Sequence, residues 1–312
     1  MHFETAGIEV AFWIPPLVAF IISFFTSMGG VSGAFLILPF QVSVLGFTGP
    51  SVSATNQLYN IIAIPSGVYR YIREGRMVWP LTWVVITGTL PGVFIGAYIR
   101  VSYLPDPKNF KVFIALVLLY IGLRMIRDLM KKGYSGKEDS EKKFQELVKR
   151  HNKKQAEGEA LPAVRVIQFS FSRIEYEFYG ETFGFPVWGI FTLSFAVGII
   201  GGIYGIGGGA IIAPFFVTFF RLPVYTVAGA ALMGTCITSV AGVAFYQAIA
   251  PYYPGMSVAP DWLLGFLFGV GGMGGMYLGA RCQKYVPAKT IKWMLGAIIA
   301  CTALKYIYEY FL

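Results

Sequence analysis

The chain has 312 residues, of which 56% are hydrophobic, 17% aromatic and only 13% charged. A soluble domain of this length carries roughly twice that charged fraction, so the composition predicts an all-α polytopic membrane protein. The formal net charge is +9. We nevertheless expect no nucleic-acid partner, because the basic residues stand in loops beside apolar segments, where they act as orientation signals.

Ten apolar segments follow one another along the chain, five in each half. In the first half they cover about 11–28, 33–46, 51–71, 78–100 and 109–127, and in the second about 187–205, 208–221, 225–247, 262–281 and 290–309. The second segment of each half has about 14 residues, whereas a full membrane crossing needs about 20. The first two segments of each half therefore predict a helical hairpin, or one broken helix, with a glycine run at its tip.

Four blocks of the first half recur in the same order in the second half. GVSGAFLILPF (30–40) aligns with GIGGGAIIAPF (205–215), and FKVFIALVLLYIGLRMI (110–126) aligns with IKWMLGAIIACTALKYI (291–307). Repeated halves are common in secondary transporters. The repeats predict three regions: a first transmembrane repeat (1–127), a polar insert (128–186) and a second transmembrane repeat (187–312).

The insert 128–186 differs from both repeats in composition, since it holds ten of the 16 carboxylates. Its stretch SEKKFQELVKRHNKKQAEGEA predicts a short surface helix. The following VRVIQFSFSRIEYEFYGETFGF alternates apolar and polar residues, which predicts a β-hairpin. We expect a folded linker, and leave a regulatory role or a membrane-surface anchor open.

The distribution of Lys and Arg predicts the orientation. Loop 70–76 has three arginines, its counterpart 247–261 has none, and 281–292 is basic again. By the positive-inside rule, 70–76, the insert and 281–292 are cytoplasmic, and both termini are extracytoplasmic. The halves would then be inverted repeats in a cell (inner or plasma) membrane, which the odd number of segments per half also predicts.

A glycine run precedes the short second segment of each half. A helix that begins inside a membrane has unpaired N–H groups and a partial positive charge at its start, both of which favour an anion. We expect the two tips to meet near the midplane and to bind the substrate through Gly30, Ser32, Gly33, Gly205, Gly207, Gly208 and Gly209. Pro39 and Pro214 occupy equivalent positions, where they are expected to kink or end the short helices. The alternative role of such glycines is close helix packing, which we expect for 269–279.

Polar residues open the third segment of the first half, in SVSATNQLYN (51–60). Thr55, Asn56 and Asn60 are predicted to lie near one helix face, because 56 and 60 are four residues apart. Thr55 and Asn56 are candidates for hydrogen bonds to the substrate. A bond from these side chains to a neighbouring helix remains the alternative.

The positions of the carboxylates, cysteines and histidines disfavour several kinds of site. The six carboxylates outside the insert stand at segment ends or in loops, which disfavours a proton relay or a carboxylate-lined cation pore. The three cysteines have no CxxC spacing, and both histidines lie outside the apolar segments. We expect no metal, no cofactor and, without a nucleophile–base pair, no enzymatic activity.

The motifs GIYGIGGGAIIAPFF, GGVSGAFLILPF and SATNQLYN resemble those of the TauE/SafE family of sulfite and organosulfonate permeases. The resemblance implies an exporter of small sulfur-containing anions, working by alternating access. It places the family's glycine motif on 205–209 and 30–33, and the threonine-bearing motif on Thr55 and Asn56. An anion channel and a permease for a non-sulfur small organic anion remain alternatives. The expected partners are the anionic substrate and the lipid bilayer, with homo-oligomerisation left open.

Overall fold

The computed structural model describes residues 1–28, 32–73, 75, 77–130, 164–220, 222, 224–282 and 288–311. The helix predicted in the first part of the insert lies outside these residues, and so does Gly30. Four described helices are long and apolar enough to cross a membrane: Trp79–Ser102, Val187–Tyr204, Thr226–Tyr252 and Trp262–Gly279. The predicted class, a polytopic helical membrane protein, is confirmed.

The described part of the first half contains six helices, one more than the predicted segments. They are α1 (Ile14–Met28), α2 (Ala34–Ser43), α3 (Ser51–Ala63), α4 (Pro65–Arg73), α5 (Trp79–Ser102) and α6 (Pro107–Met130). The predicted segment 51–71 is divided between α3 and α4. Pro65 causes the break, because proline lacks the N–H group that would donate to the carbonyl four residues earlier. Ile64 itself keeps helical angles, with φ −77° and ψ −32°.

The described part of the second half follows the predicted five segments. Its helices are α7 (Val187–Tyr204), α8 (Gly209–Phe219), α9 (Val224–Ile249), α10 (Trp262–Cys282) and α11 (Ala288–Phe311), with a 3-10 turn at Ala250–Tyr252. At the N-terminus, β1 (His2–Phe3) pairs with β2 (Ile8–Glu9) as a short antiparallel ladder.

The second helix of each half is short, as its apolar run predicts. α2 has 10 residues and α8 has 11, so each is about 15 Å long against a hydrocarbon core of about 30 Å. Pro39 lies inside α2 and does not end it. Proline cannot donate to the carbonyl four residues earlier, and the Tyr204 hydroxyl donates to that carbonyl, of Phe35, at 2.8 Å. Pro39 thus leaves an acceptor that the second half of the chain uses. Position 214 likewise lies within α8.

Each half packs its first helix against the other half. The first helix of each half contacts the long fourth-segment helix of the other, α1 on α10 and α7 on α5. A Cβ atom at Gly275 would lie 2.2 Å from the Phe20 carbonyl oxygen, and one at Gly92 would lie 2.4 Å from that of Phe195. Only glycine permits such backbone approaches. The glycines of 269–279 thus serve helix packing.

The last helices of the two halves run in opposite directions. Lys111 on α6 forms an ion pair with Glu309 on α11, at 2.8 Å between Nζ and Oε2. Gly122, three turns further along α6, lies beside Ile299, three turns earlier on α11. The equivalent helices α6 and α11 are therefore antiparallel.

The third helices of the two halves, α3 and α9, are also antiparallel. Ser53 lies beside Tyr246, and Gln57 lies beside Gly242. Two equivalent helix pairs are therefore antiparallel, which is the arrangement that a two-fold axis perpendicular to the helices produces.

The second part of the insert forms a three-stranded antiparallel sheet in the order β3–β4–β5, one strand more than the predicted β-hairpin. A tight turn at Tyr179 and Gly180, both with positive φ, returns the chain as the third strand. The strands are β3 (Val164–Phe169), β4 (Arg173–Phe178) and β5 (Glu181–Pro186). Ile174, Tyr176 and Phe178 of β4 are buried, as the alternating pattern predicts. The Tyr176 hydroxyl donates to Thr226 Oγ1 at 2.9 Å, so the sheet is tied to the start of α9.

Candidate functional site

The second glycine loop, residues 205–208, joins α7 to α8 inside the helical bundle. Gly205 and Gly207 have positive φ angles of 83° and 67°, which other residues rarely adopt. A Cβ atom at Gly205 would lie 2.3 Å from the Ser53 carbonyl oxygen, and one at Gly208 would lie 2.5 Å from Thr89 Cγ2. The loop backbone therefore lies directly against α3 and α5, and both its geometry and its contacts require glycine.

Both short helices begin at a glycine, Gly33 before α2 and Gly208 before Gly209 of α8. Glycine has no side chain with which to cap the first turn, whose N–H groups point toward the helix start. At α2, the Ser32 hydroxyl accepts a hydrogen bond from the Ala34 N–H at 3.3 Å. Gly33 and Gly208 thus leave the first backbone N–H groups of the two helices without a side-chain cap of their own, and such N–H groups can bind anions.

The Asn56 side chain connects the two glycine tips. Its amide Nδ2 donates to the carbonyl of Ala34 at 3.0 Å and to the carbonyl of Gly205 at 3.1 Å. The Tyr204 hydroxyl adds a second link, to Phe35 of α2. The structure therefore brings the two predicted tips together. In this conformation the amide nitrogen of Asn56 is occupied by the backbone of both tips.

Two side chains that contact the second loop, Asn60 and Ser239, have buried polar atoms without a protein partner. Asn60 donates to the carbonyl of Ile206 at 3.1 Å, but its Oδ1 has no partner. The Gln57 amide and the Ser239 hydroxyl also lack partners, and all three side chains are fully buried. Ser239 lies at Gly207, where a Cβ atom would be 3.0 Å from its Oγ. Since buried polar groups are normally hydrogen-bonded, such a cluster indicates a place for a polar ligand or water.

The first tip is more crowded than the second. A Cβ atom at Gly33 would lie 2.7 Å from the Tyr59 hydroxyl and 2.9 Å from the Ser23 hydroxyl. These two hydroxyls are hydrogen-bonded to each other at 2.8 Å. The polar groups next to Gly33 are therefore satisfied by one another.

Thr55 is not directed at the glycine loop, contrary to the shared face predicted for residues 55, 56 and 60. Its hydroxyl accepts a hydrogen bond from the Asp261 N–H at 2.9 Å, at the start of α10. Successive helical residues point about 100° apart, so Asn56 and Asn60 can face the tips while Thr55 faces another helix.

The site is built from neutral groups: amides, hydroxyls and backbone. Among the described residues, no group of three or more His, Cys, Asp or Glu side chains could hold a metal ion. Neutral donors around two helix starts can bind a small anion without a permanent countercharge, and they do not repel it.

The sequence did not predict Gln57 or Ser239 as site residues. Gln57 stands in the same polar stretch as Asn56, so its residue type was the available signal. Ser239 stands four residues after Thr235 in an otherwise apolar helix. Its place at the loop depends on how α9 packs against α3, and no local pattern gives that information.

Comparison with known proteins identifies a family. A family model described as "Sulfite exporter TauE/SafE" matches residues 16–306. A curated relative, "Probable membrane transporter protein YunE" of Bacillus subtilis (strain 168), is 23% identical over 290 residues, which cover 91% of this chain and 92% of the relative. No solved structure matches the chain.

Proposed function

Since the chain belongs to the TauE/SafE family, a family of multi-pass membrane transporters, we propose that it exports a small sulfur-containing anion such as sulfite or an organosulfonate. The observation that carries the proposal is the second glycine loop, which lies among buried polar groups that have no protein partner. The expected cell membrane location, with both termini outside and the insert in the cytoplasm, is part of the same proposal.

The substrate would bind where the two tips meet. Backbone N–H groups at the start of α8 would hold oxyanion oxygens, and the Gln57 amide and the Ser239 hydroxyl would add donors. These groups are buried and would be paired by the substrate. A sulfite-like oxyanion fits this donor set because each of its oxygens can accept several hydrogen bonds.

Alternating access requires two related gates, and the helix directions support inverted repeats. The antiparallel relation of α6 to α11, and of α3 to α9, is what an axis in the membrane plane would produce. The conformation described here would be closed, since residues 201–208 are all buried.

Opening of the site would separate the tips from each other. The Asn56 amide and the Tyr204 hydroxyl join α2 to the end of α7. These bonds would have to break, or pass to the substrate, as one half moves against the other. Asn56 would thus couple occupancy of the site to the position of the two halves.

The test is counterflow of radiolabelled sulfite in liposomes, with sulfoacetate, thiosulfate, sulfate and chloride as competitors. Saturable counterflow is expected for a carrier. A flux that does not saturate would favour an anion channel, and the absence of sulfite counterflow would favour a non-sulfur substrate.

The matched variants are Gly208→Val and Gly255→Val. The first places a side chain against Thr89 at the loop, so we expect it to abolish counterflow while the protein is still produced. The second places the same side chain where no atom lies within 4 Å of the added Cβ, so counterflow should persist. Normal counterflow by Gly208→Val would contradict the proposed site.

A further inference from the structure

Arg100 on α5 is a charged residue buried completely inside the protein. Its guanidinium carbon lies 3.6 Å from the centre of the Phe110 ring. A charge inside a membrane protein is costly, and such residues commonly mark the route of a substrate or ion. Arg100 belongs to none of the sequence motifs that point to the glycine tips.

The hydrogen bonds of Arg100 leave its charge without a counterion. Nη2 donates to the carbonyl of Thr48 at 3.0 Å, and Nη1 donates to the carbonyl of Leu104. Nε has no partner. Among the described carboxylates, none forms an ion pair with Arg100.

A structural link between Thr48 and Leu104 does not require a charged side chain. A neutral amide could donate to a carbonyl without the desolvation cost of a buried charge. The aromatic ring offsets part of that cost, but it does not pair Nε. A small anion would satisfy both the charge and the free N–H.

The Tyr246 side chain lies between Arg100 and the end of α7. Arg100 is close to Tyr246, whose hydroxyl donates to the carbonyl of Gly202 at 3.0 Å. The neighbouring Ser53 hydroxyl donates to the carbonyl of Ile203 at 2.9 Å. These carbonyls belong to the last turn of α7, directly before the glycine loop.

Arg100 is also close to two connections between helices, one through its own hydrogen bond and one through Ser102. Thr48 belongs to the connection between α2 and α3. Ser102, two residues after Arg100, is hydrogen-bonded to Tyr253 in the connection between α9 and α10, at 2.8 Å. Arg100 therefore stands between the surface connections and the glycine loop.

We propose that Arg100 forms a second anion site, which binds one small oxyanion through its charge and its Nε–H between these connections and the glycine loop. The anion class is that of the proposed function, but the site would bind an oxyanion whether or not the chain transports sulfite. Movement of the two connections would give the anion access.

The experiment measures thermal unfolding of the purified full chain in detergent, titrated with sulfite or sulfate against gluconate at matched ionic strength. We expect the oxyanions to raise the unfolding temperature of the wild type. In Arg100→Gln, which keeps a donor but removes the charge, the half-maximal concentration should rise about tenfold or more. Arg127→Gln removes the same charge from an exposed position on α6 and should respond as the wild type does.

Two outcomes would overturn the proposal. One is a wild type that does not respond to either oxyanion. The other is an Arg100→Gln variant with a lower unfolding temperature but an unchanged response, which would make Arg100 a structural link between Thr48 and Leu104. Should Arg100→Gln not fold, Arg100→Lys carries the test, because it keeps the charge and loses Nε. A response of Arg100→Lys equal to that of the wild type would then contradict the role of Nε.

The outcomes for this site and for the transport function can be separated. Gly208→Val should lose counterflow and keep the Arg100-dependent response to oxyanions. Loss of that response in Gly208→Val would place oxyanion binding at the glycine loop and contradict a separate site. Absence of counterflow in the wild type, together with an Arg100-dependent response, would contradict the proposed transport and leave this site standing.

Discussion

The two glycine tips have the same place in their repeats, but they differ in how their polar surroundings are satisfied. Beside Gly33, the hydroxyls of Tyr59 and Ser23 bond to each other. Beside Gly207, Ser239 and the neighbouring Asn60 have atoms without a protein partner. Under the proposed function, the second tip would supply most of the ligand contacts, while the first tip is joined to it through Asn56.

The two tips also differ in backbone conformation and in the atoms that their backbones contact. The second loop has two glycines with positive φ, and its backbone touches the backbone of α3. The neighbours of Gly33 are the ends of side chains. An added methyl group at Gly33 can therefore be relieved by side-chain rotation, whereas at Gly205, which meets only the backbone of Ser53, it cannot.

The largest expected effect comes from alanine in the second loop. Gly205→Ala should destabilise the protein by about 2–5 kcal/mol, because the left-handed conformation costs about 1–2 kcal/mol and overpacking about 1–3 kcal/mol. Gly33→Ala should cost about 1–3 kcal/mol. Unfolding midpoints in detergent, measured for both variants, check the difference. An equal or larger loss for Gly33→Ala would reverse the comparison.

A smaller and more selective effect is expected at Ser239. Because its hydroxyl has no protein partner, Ser239→Ala should leave the unfolding temperature nearly unchanged. The half-saturating anion concentration in counterflow should rise about 3–10-fold, the value of one hydrogen bond. Thr238→Val is the control, since the Thr238 hydroxyl bonds to Gly234 within its own helix. A KM change in the control and none in Ser239→Ala would remove Ser239 from the site.

The smallest expected effect concerns the sheet, which is attached to the second half through Tyr176. Burial raises the pKa of Tyr176 to about 12, against the opposing effect of its bond to Thr226. The fold favours the protonated hydroxyl, so its contribution is complete below the unfolded pKa of 10.0 and is lost as the pH rises toward about 12.

Tyr176→Phe should therefore lower stability by about 1 kcal/mol at neutral pH. It should also flatten the loss of stability between these two pKa values, which unfolding midpoints across that pH range can measure. An unchanged pH dependence would contradict the burial of the Tyr176 hydroxyl in the folded protein, and an unchanged stability at neutral pH would contradict the contribution of its bond to Thr226.

The sequence alone predicts the helical segments well, because long apolar runs and breaks are local properties. The short α2 and α8 follow from runs too short to cross a membrane, and the glycine loop follows from its composition. The buried side of β4 follows from alternation. Pro65 divides α3 from α4 for a local reason that was visible in the sequence.

What each polar side chain contacts was decided only by the tertiary structure. Asn56 binds both tips, Thr55 binds the start of α10, and Ser239 reaches Gly207, although all three are polar residues inside membrane-protein helices. Arg100 looks like an ordinary residue at a helix end until its burial is known. The physical reason is that a hydrogen-bond partner is set by helix rotation and by contacts between residues far apart in the chain, whereas a hydrophobic run is set by its neighbours.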